Sequence, residues 1–311
     1  MISMVRNPII SGVLLLIGAT LTNSLADGTV KDLAARLQAP QVFFLSGLIM
    51  AGLSLLTARA GSRLGLFTTS CLRSKAPGLL ALRSAATVAA ALGFFYAVAS
   101  IPLAEVFLFI GLMPLMSAIL SRPLLGERVQ PAAWVGLGIG ILGVSLLFPD
   151  GLSGLTVGHL CGLAGAFMGT LSLVLSRRMA KVESNALVQV FYPNLALALS
   201  AVVLLPAVWQ PMSLADLGLI VLYSALLFVA RWGMVLVMRR LRAPVALPLM
   251  NVQFVWMVGV GFVFFGEVPA ALTLVGAALV MLAGIIALTE QAREERLARL
   301  AARRASAIAA E

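Results

Sequence analysis

The stretch LLGERV, residues 124–129, ends an apolar segment with a glycine, an acidic residue and a polar break, and FFGEVP at residues 264–269 does the same. Set in register, GERVQPAAWVG at 126–136 lies on GEVPAALTLVG at 266–276 without a gap, sharing the Gly-Glu pair and the closing Val-Gly. Each copy falls between two long apolar runs. Glutamate is scarce in this chain, so the pair reads as one design written twice. The segments around it say what the design is.

Of the 311 residues, 61% are hydrophobic and 11% charged, and the mean hydropathy of +1.06 lies far above that of a soluble domain. The apolar residues come in runs of about 18 to 22, the length a helix needs to cross ~30 Å of hydrocarbon. The alternating pattern of a membrane barrel is missing. The chain therefore reads as an all-α polytopic membrane protein. Ten transmembrane helices are expected, over 8–29, 39–58, 78–99, 103–121, 131–148, 156–177, 186–207, 215–238, 244–265 and 270–289. Pro102, Pro131, Pro206, Pro211 and Pro269 mark breaks, as does the turn FPDG at 148–151, built on Pro149 and Gly151.

The net charge of +10 is spread over loops and a tail, without the single basic face that nucleic acid requires. It reads as a topology signal. With the N-terminus inside, 19 Lys and Arg residues fall on the inner side, against Lys31 and Arg36 outside, and Arg231 falls within a span. The expectation is an integral protein of the bacterial cytoplasmic (inner) membrane with both termini cytoplasmic. Arg6 before an apolar stretch ending near Ser24 and Ala26 partly mimics a signal peptide, but the helical pattern continues to Lys31, so an uncleaved first span is expected. Cys71 and Cys161 read as free thiols.

Five spans in each half is an odd number, so the second half starts on the opposite side of the membrane. Glu127 then faces inward and Glu267 outward, which is the trace of two inverted five-helix repeats. The expected divisions are 8–148 and 154–289, together one membrane domain, followed by a basic cytoplasmic tail over 290–311 that can lie on anionic lipid.

These features resemble the EamA branch of the drug/metabolite transporter superfamily. The resemblance rests on DGTVK at 27–31, LRSAATVAAALGFFYAVASIPLAEV at 82–106, PLLGERVQPAAWVGLGIGILGVSLLF at 123–148 and VFFGEVPAALTLVGAALVMLAGIIAL at 263–288. Ser46 departs from it, standing where many relatives carry an Arg. The resemblance implies ten helices in inverted repeats and transport of a small metabolite by alternating access. The implied cavity is lined mainly by the first, third, fourth, sixth, eighth and ninth spans. It does not choose among amino acids, riboflavin, S-adenosylmethionine and cationic drugs.

An ionisable group in hydrocarbon costs at least ~2.5 kcal/mol, so those within spans should face a cavity or a partner. In the first span Asn23 and Asp27 share a stripe with Thr20, and Lys31 follows one turn on. Asp27 reads either as paired with Lys31 or as a charge carrier. Glu105, starting the fourth span, is a second candidate for charge coupling or a helix cap. Arg83 reads as reaching back to the inner surface. Arg231, well inside the eighth span, is expected to face a cavity and bind an anionic substrate group or a carboxylate. Asn251 is the better cavity candidate of the ninth span, Gln253 being about 200° away around the helix. Phe94, Phe109, Trp232 and Trp256 could stack on a planar ligand.

The one histidine, His159, excludes a His-pair metal site, and no phosphate-binding GxxxxGK loop is present. No metal and no cofactor are expected. A channel or an intramembrane enzyme fits less well than a secondary carrier of a small organic solute, amino-acid-like or planar, with proton coupling and exchange both open. The expected partners are that solute and the lipid bilayer, with a second copy of the chain, as a homodimer, kept open.

Overall fold

The computed structural model describes residues 8–63, 74–126, 131–146, 154–180, 182, 186–240, 250–283 and 285–286. The expectations for Arg6, Cys71, Glu127, the FPDG turn and the 290–311 tail fall outside the described residues. Among the described residues the fold is all helical and has no strand. Its helices are α1 (Pro8–Ala34), α2 (Ala39–Arg63), α3 (Pro77–Ser100), α4 (Leu103–Leu125), α5 (Pro131–Ser145), α6 (Val157–Ala180), α7 (Ala186–Val208), α8 (Leu214–Arg240), α9 (Val252–Phe265) and α10 (Ala271–Ala283).

Within these bounds six helices, α1, α2, α3, α6, α7 and α8, are long and apolar enough to cross a membrane. α4 would be a seventh, with a 43° bend between Leu103–Ser117 and Ile119–Leu125. Pro114 and Pro123 each withdraw a backbone donor on either side of that bend. α5, α9 and α10 are apolar but shorter over their described extents. α9 begins at Val252, whereas the ninth span was expected to start at 244, within residues not described.

Apolar residues are on the outside as well as the inside. Val203, Leu214, Val263 and Val268 are 80%, 88%, 71% and 77% exposed, a surface that water would penalise and lipid would not. Inside, Leu103, Leu108, Leu115, Phe107, Met257, Ala277 and Val280 form the main core, closed to solvent.

With hydrocarbon on the outside, helices gain little by hiding oil, and close van der Waals approach has to hold them together. α3 packs on α6 and α1 on α8; α4 packs on α6 and α9 on α1; α3 and α2 both lean on α7, and α2 also on α8. Glycine permits the tightest of these. A methyl group on Gly93 would come within 2.7 Å of Cys161 O and Gly165 Cα on α6. Gly233 meets Ala19 across the α8–α1 seam at 3.1 Å in the same sense. Gly136 faces Ala283 O at 3.1 Å and Gly143 faces Gly276 O at 2.7 Å, so α5 and α10 run antiparallel in contact. Gly126 and Gly266, from the two Gly-Glu stretches, end α4 and α9 in the left-handed region, at φ 72° and 66°, where a side chain would be strained.

Gly93→Ala is expected to destabilise the protein by about 1–3 kcal/mol, because its methyl has only backbone to displace. Gly52→Ala, with open space around it, should change little. Thermal unfolding of the purified protein in detergent compares them, and equal midpoints would dismiss the α3–α6 seam as a site of tight packing.

Candidate functional site

Polar side chains gather in two places. One is the end of the bundle where α1 finishes, α4 starts and α9 turns into α10. There the Lys31 ammonium donates to the Glu267 carboxylate and to Ile101 O at 3.0 Å. Glu267 Oε2 also accepts from Leu103 N at 3.0 Å, and Glu267 N closes on Gly261 O at 3.0 Å. Leu103 N is one of the first-turn donors of α4 that a helix cannot satisfy itself, so the carboxylate caps it from another helix. The side chains of Lys31 and Glu267 are only 15% and 19% exposed. Pairing of Lys31 with Asp27 is thereby corrected: the cation is held by Glu267.

Nearby, His159 at the start of α6 faces Glu105 at the start of α4, Nε2 to Oε2 3.1 Å. Thr156 N, which can only donate, points at His159 Nδ1 at 3.1 Å, so that nitrogen accepts and the ring proton sits on Nε2 toward Glu105. Glu105, put forward for charge coupling, is thus engaged by a residue that sequence reading set aside.

The second gathering is inside the bundle. Asn23 Nδ2 donates to Asp27 Oδ2 at 3.2 Å, and the Gln253 amide lies within reach of the same carboxylate. Gln253 Nε2 is also 4.0 Å from Met257 Sδ, the weaker of its two contacts. Tyr223 of α8 is within electrostatic reach of both Asp27 and Arg231. Arg231 Nη1 donates to Asn194 Oδ1 at 3.2 Å, and Asn194 Nδ2 is fixed by Val190 O at 2.8 Å. Arg83 Nη1 donates to Gln189 O. That carbonyl is available because residue 193 is a proline, with no N–H to return to it. The Gln189 side chain is in turn held by Ser176 Oγ at 2.5 Å, and Thr87 meets Ser172 at 2.7 Å. Asp27 is half-buried, and Arg231 keeps an exposed surface beside its bond to Asn194.

The structure brings Asn23, Asp27 and Arg231 to this interior. Trp256 has its indole Nε1 buried with no hydrogen-bond partner. Asn251 stands before α9 and makes no capping bond. Phe94 and Phe109 belong to seams with α6: Phe94 lies against Gly165 and Gly169, and Phe109, 2% exposed, against Gly162 and His159. The side chain of Trp232 lies outside the described residues. Sequence reading missed Gln189, Pro193, Asn194 and Tyr223, and it sent Arg83 to the surface. The signal was present in VFYPN at 190–194, a proline and an amide in the middle of an apolar span. Among the described residues no cluster of His, Cys, Asp or Glu could hold a metal ion.

A helical bundle with an apolar exterior is that of an integral membrane protein. Residues 10–148 match the model of the EamA-like transporter family. It is 28% identical over 289 residues to the pseudopaline exporter CntI of Pseudomonas aeruginosa (strain UCBPP-PA14), covering 91% of this chain and 97% of that one. It is 25% identical over 198 residues to a riboflavin transporter of Rhizobium johnstonii, covering 64% and 66%. A crystal structure 22% identical in sequence superposes with a TM-score of 0.62 over 92% of this chain and 99% of the other, so the fold is shared.

If the Lys31–Glu267 tie holds three helix ends, Lys31→Met and Glu267→Gln should each lower stability, and the double variant should cost less than their sum, by about 0.5–3 kcal/mol. A double-mutant cycle on unfolding midpoints measures this; strict additivity would reduce the pair to a surface contact.

Proposed function

We propose that the chain is a secondary transporter that moves a small organic metabolite across the cytoplasmic membrane by alternating access between two inverted five-helix repeats, with both termini on the cytoplasmic side. The observation that carries this reading is the set of ionisable side chains within the spans, Asp27, Arg83 and Arg231, which among the described residues make no ion pair. Ionisable groups left without an opposite partner inside a membrane bundle are costly, and their use is to meet a solute.

The repeat is supported by contacts that exchange under one register. Advancing by the 140 residues that set Gly126 on Gly266 turns the Gly136–Ala283 contact into the Gly276–Gly143 contact, the same pair of helices met from the other side. Gly93, tight against α6, maps to Gly233, tight against α1. The pairing of α3 with α6 maps to that of α8 with α1, and α4 with α6 to α9 with α1, while α2 with α7 maps to itself. An inverted repeat gives a carrier two equivalent packings, each open to one side. The names of the relatives, an exporter of pseudopaline and a transporter of riboflavin, favour an organic solute over an inorganic ion.

The test is counterflow in proteoliposomes with a labelled panel of amino acids, a dipeptide and riboflavin. At least one should show saturable exchange, and Arg231→Gln should cut its kcat/KM by about tenfold or more, the scale of a lost bond to a charged group. Flux that rises linearly with concentration would indicate a channel instead. Unchanged exchange by Arg231→Gln would remove the arginine from the site.

A further inference from the structure

The interior polar groups are sorted by sign along the bundle. Arg83 from α3 and Arg231 from α8 both reach to α7, one to Gln189 O and the other to Asn194 Oδ1. Those anchors lie five residues apart on one helix, about 7.5 Å along its axis, and the two guanidiniums are within electrostatic reach of each other. Two cations held side by side by neutral acceptors, with no carboxylate among the described residues within 4.0 Å, form a site for an oxyanion. Arg83 Nε is a further buried donor with no partner among the described residues.

Asp27 is the opposite case. Its neighbours are the amides of Asn23 and Gln253, and Lys31, the cation one turn away, is taken by Glu267. Tyr223 stands between the two regions, in reach of both. It precedes Arg231 on α8 by eight residues, about 12 Å along the axis. No ion pair among the described residues joins Asp27 to either arginine, so the cationic and anionic groups stand apart.

We infer that the transported solute is an extended zwitterion, its carboxylate held between Arg83 and Arg231 on α7 and its protonated amine at Asp27, with Tyr223 alongside the body between them. This rests on the carrier reading above and names the substrate class of that site. An anion alone leaves the carboxylate of Asp27 unmatched, and an amine alone leaves two guanidiniums unmatched, so each binds more weakly than the zwitterion.

The probes are L-Phe-L-Ala, its N-acetyl derivative, its C-terminal amide and free L-phenylalanine, each tested for stabilisation of the purified full-length protein against thermal unfolding. The dipeptide should bind best, with each blocked form and the short zwitterion weaker by about tenfold or more. Arg83→Gln and Arg231→Gln should abolish the preference for the dipeptide over its amide and keep the preference over the N-acetyl form. Asp27→Asn should do the reverse. Arg83→Lys and Arg231→Lys keep the charge and should keep the preference for a free carboxylate, which separates loss of the site from loss of the fold. Equal binding of the dipeptide and both blocked forms overturns the proposal, as does loss of both preferences together in a variant that unfolds like the wild type. Phenylalanine binding as tightly as the dipeptide overturns the extended spacing. Should none of the four bind while another solute is exchanged in vesicles, the zwitterion site falls and the carrier reading stands. Absence of any exchange overturns both.

Discussion

The interior of this bundle depends on one carbonyl. In hydrocarbon a backbone oxygen without a donor costs several kcal/mol, so a helix that crosses the membrane must find a partner for each one. Pro193 denies Gln189 O its own, and the structure answers with the guanidinium of Arg83, brought from α3. The next residue, Asn194, spends its amide on Val190 O and offers its oxygen to Arg231 from α8. The proline thus brings Arg83 onto α7, and Asn194 beside it brings Arg231, with α3 and α8 behind them. The unpaired carbonyl of α7 and the placement of Arg83 are the same event.

The opposite end of the bundle is built on a different principle. There the charges neutralise one another: Lys31 and Glu267 join the end of α1, the turn before α4 and the turn after α9, and Glu105 meets His159 between α4 and α6. The glutamate of the second Gly-Glu stretch can reach this position because Gly266 turns the chain through a left-handed conformation that directs the following residue back over the helix end. Charge at this end is paired with opposite charge, and the interior arginines are held by neutral acceptors.

Much of this was legible. Apolar runs of spanning length gave a helical membrane protein, and the two Gly-Glu stretches gave paired helix ends, because both signals are local: a run has a length, and a left-handed turn has a residue that tolerates it. Arg231 stood out for a related reason, since a charge in the middle of a span has few uses. Partners across helices were not legible. Nothing in the spacing of DGTVK says that Lys31 passes over Asp27, one turn away, for Glu267 on another helix; that choice depends on how α1, α4 and α9 meet. Arg83 sits near the start of α3, where reaching for the surface is the ordinary outcome, and only the carbonyl freed by Pro193 on α7 gives it a reason to turn inward. The same limit applies to Phe94 and Phe109, whose aromatic character suggested a ligand and whose position against the glycines of α6 makes them packing.

These two misses have one consequence. Because Glu267 takes Lys31, Asp27 is left without the cation nearest in sequence; because Gln189 O and Asn194 Oδ1 take Arg83 and Arg231, neither arginine needs a carboxylate to be held in place. Had either tie been absent, the shortest route to a satisfied interior would be an Asp-Arg or Asp-Lys pair, a structural salt bridge with no capacity left for a solute. The neutral acceptors on α7 and the remote glutamate keep opposite charges in one enclosure apart. On the reading proposed above, a solute bearing both signs meets both groups, with Tyr223 in reach of each.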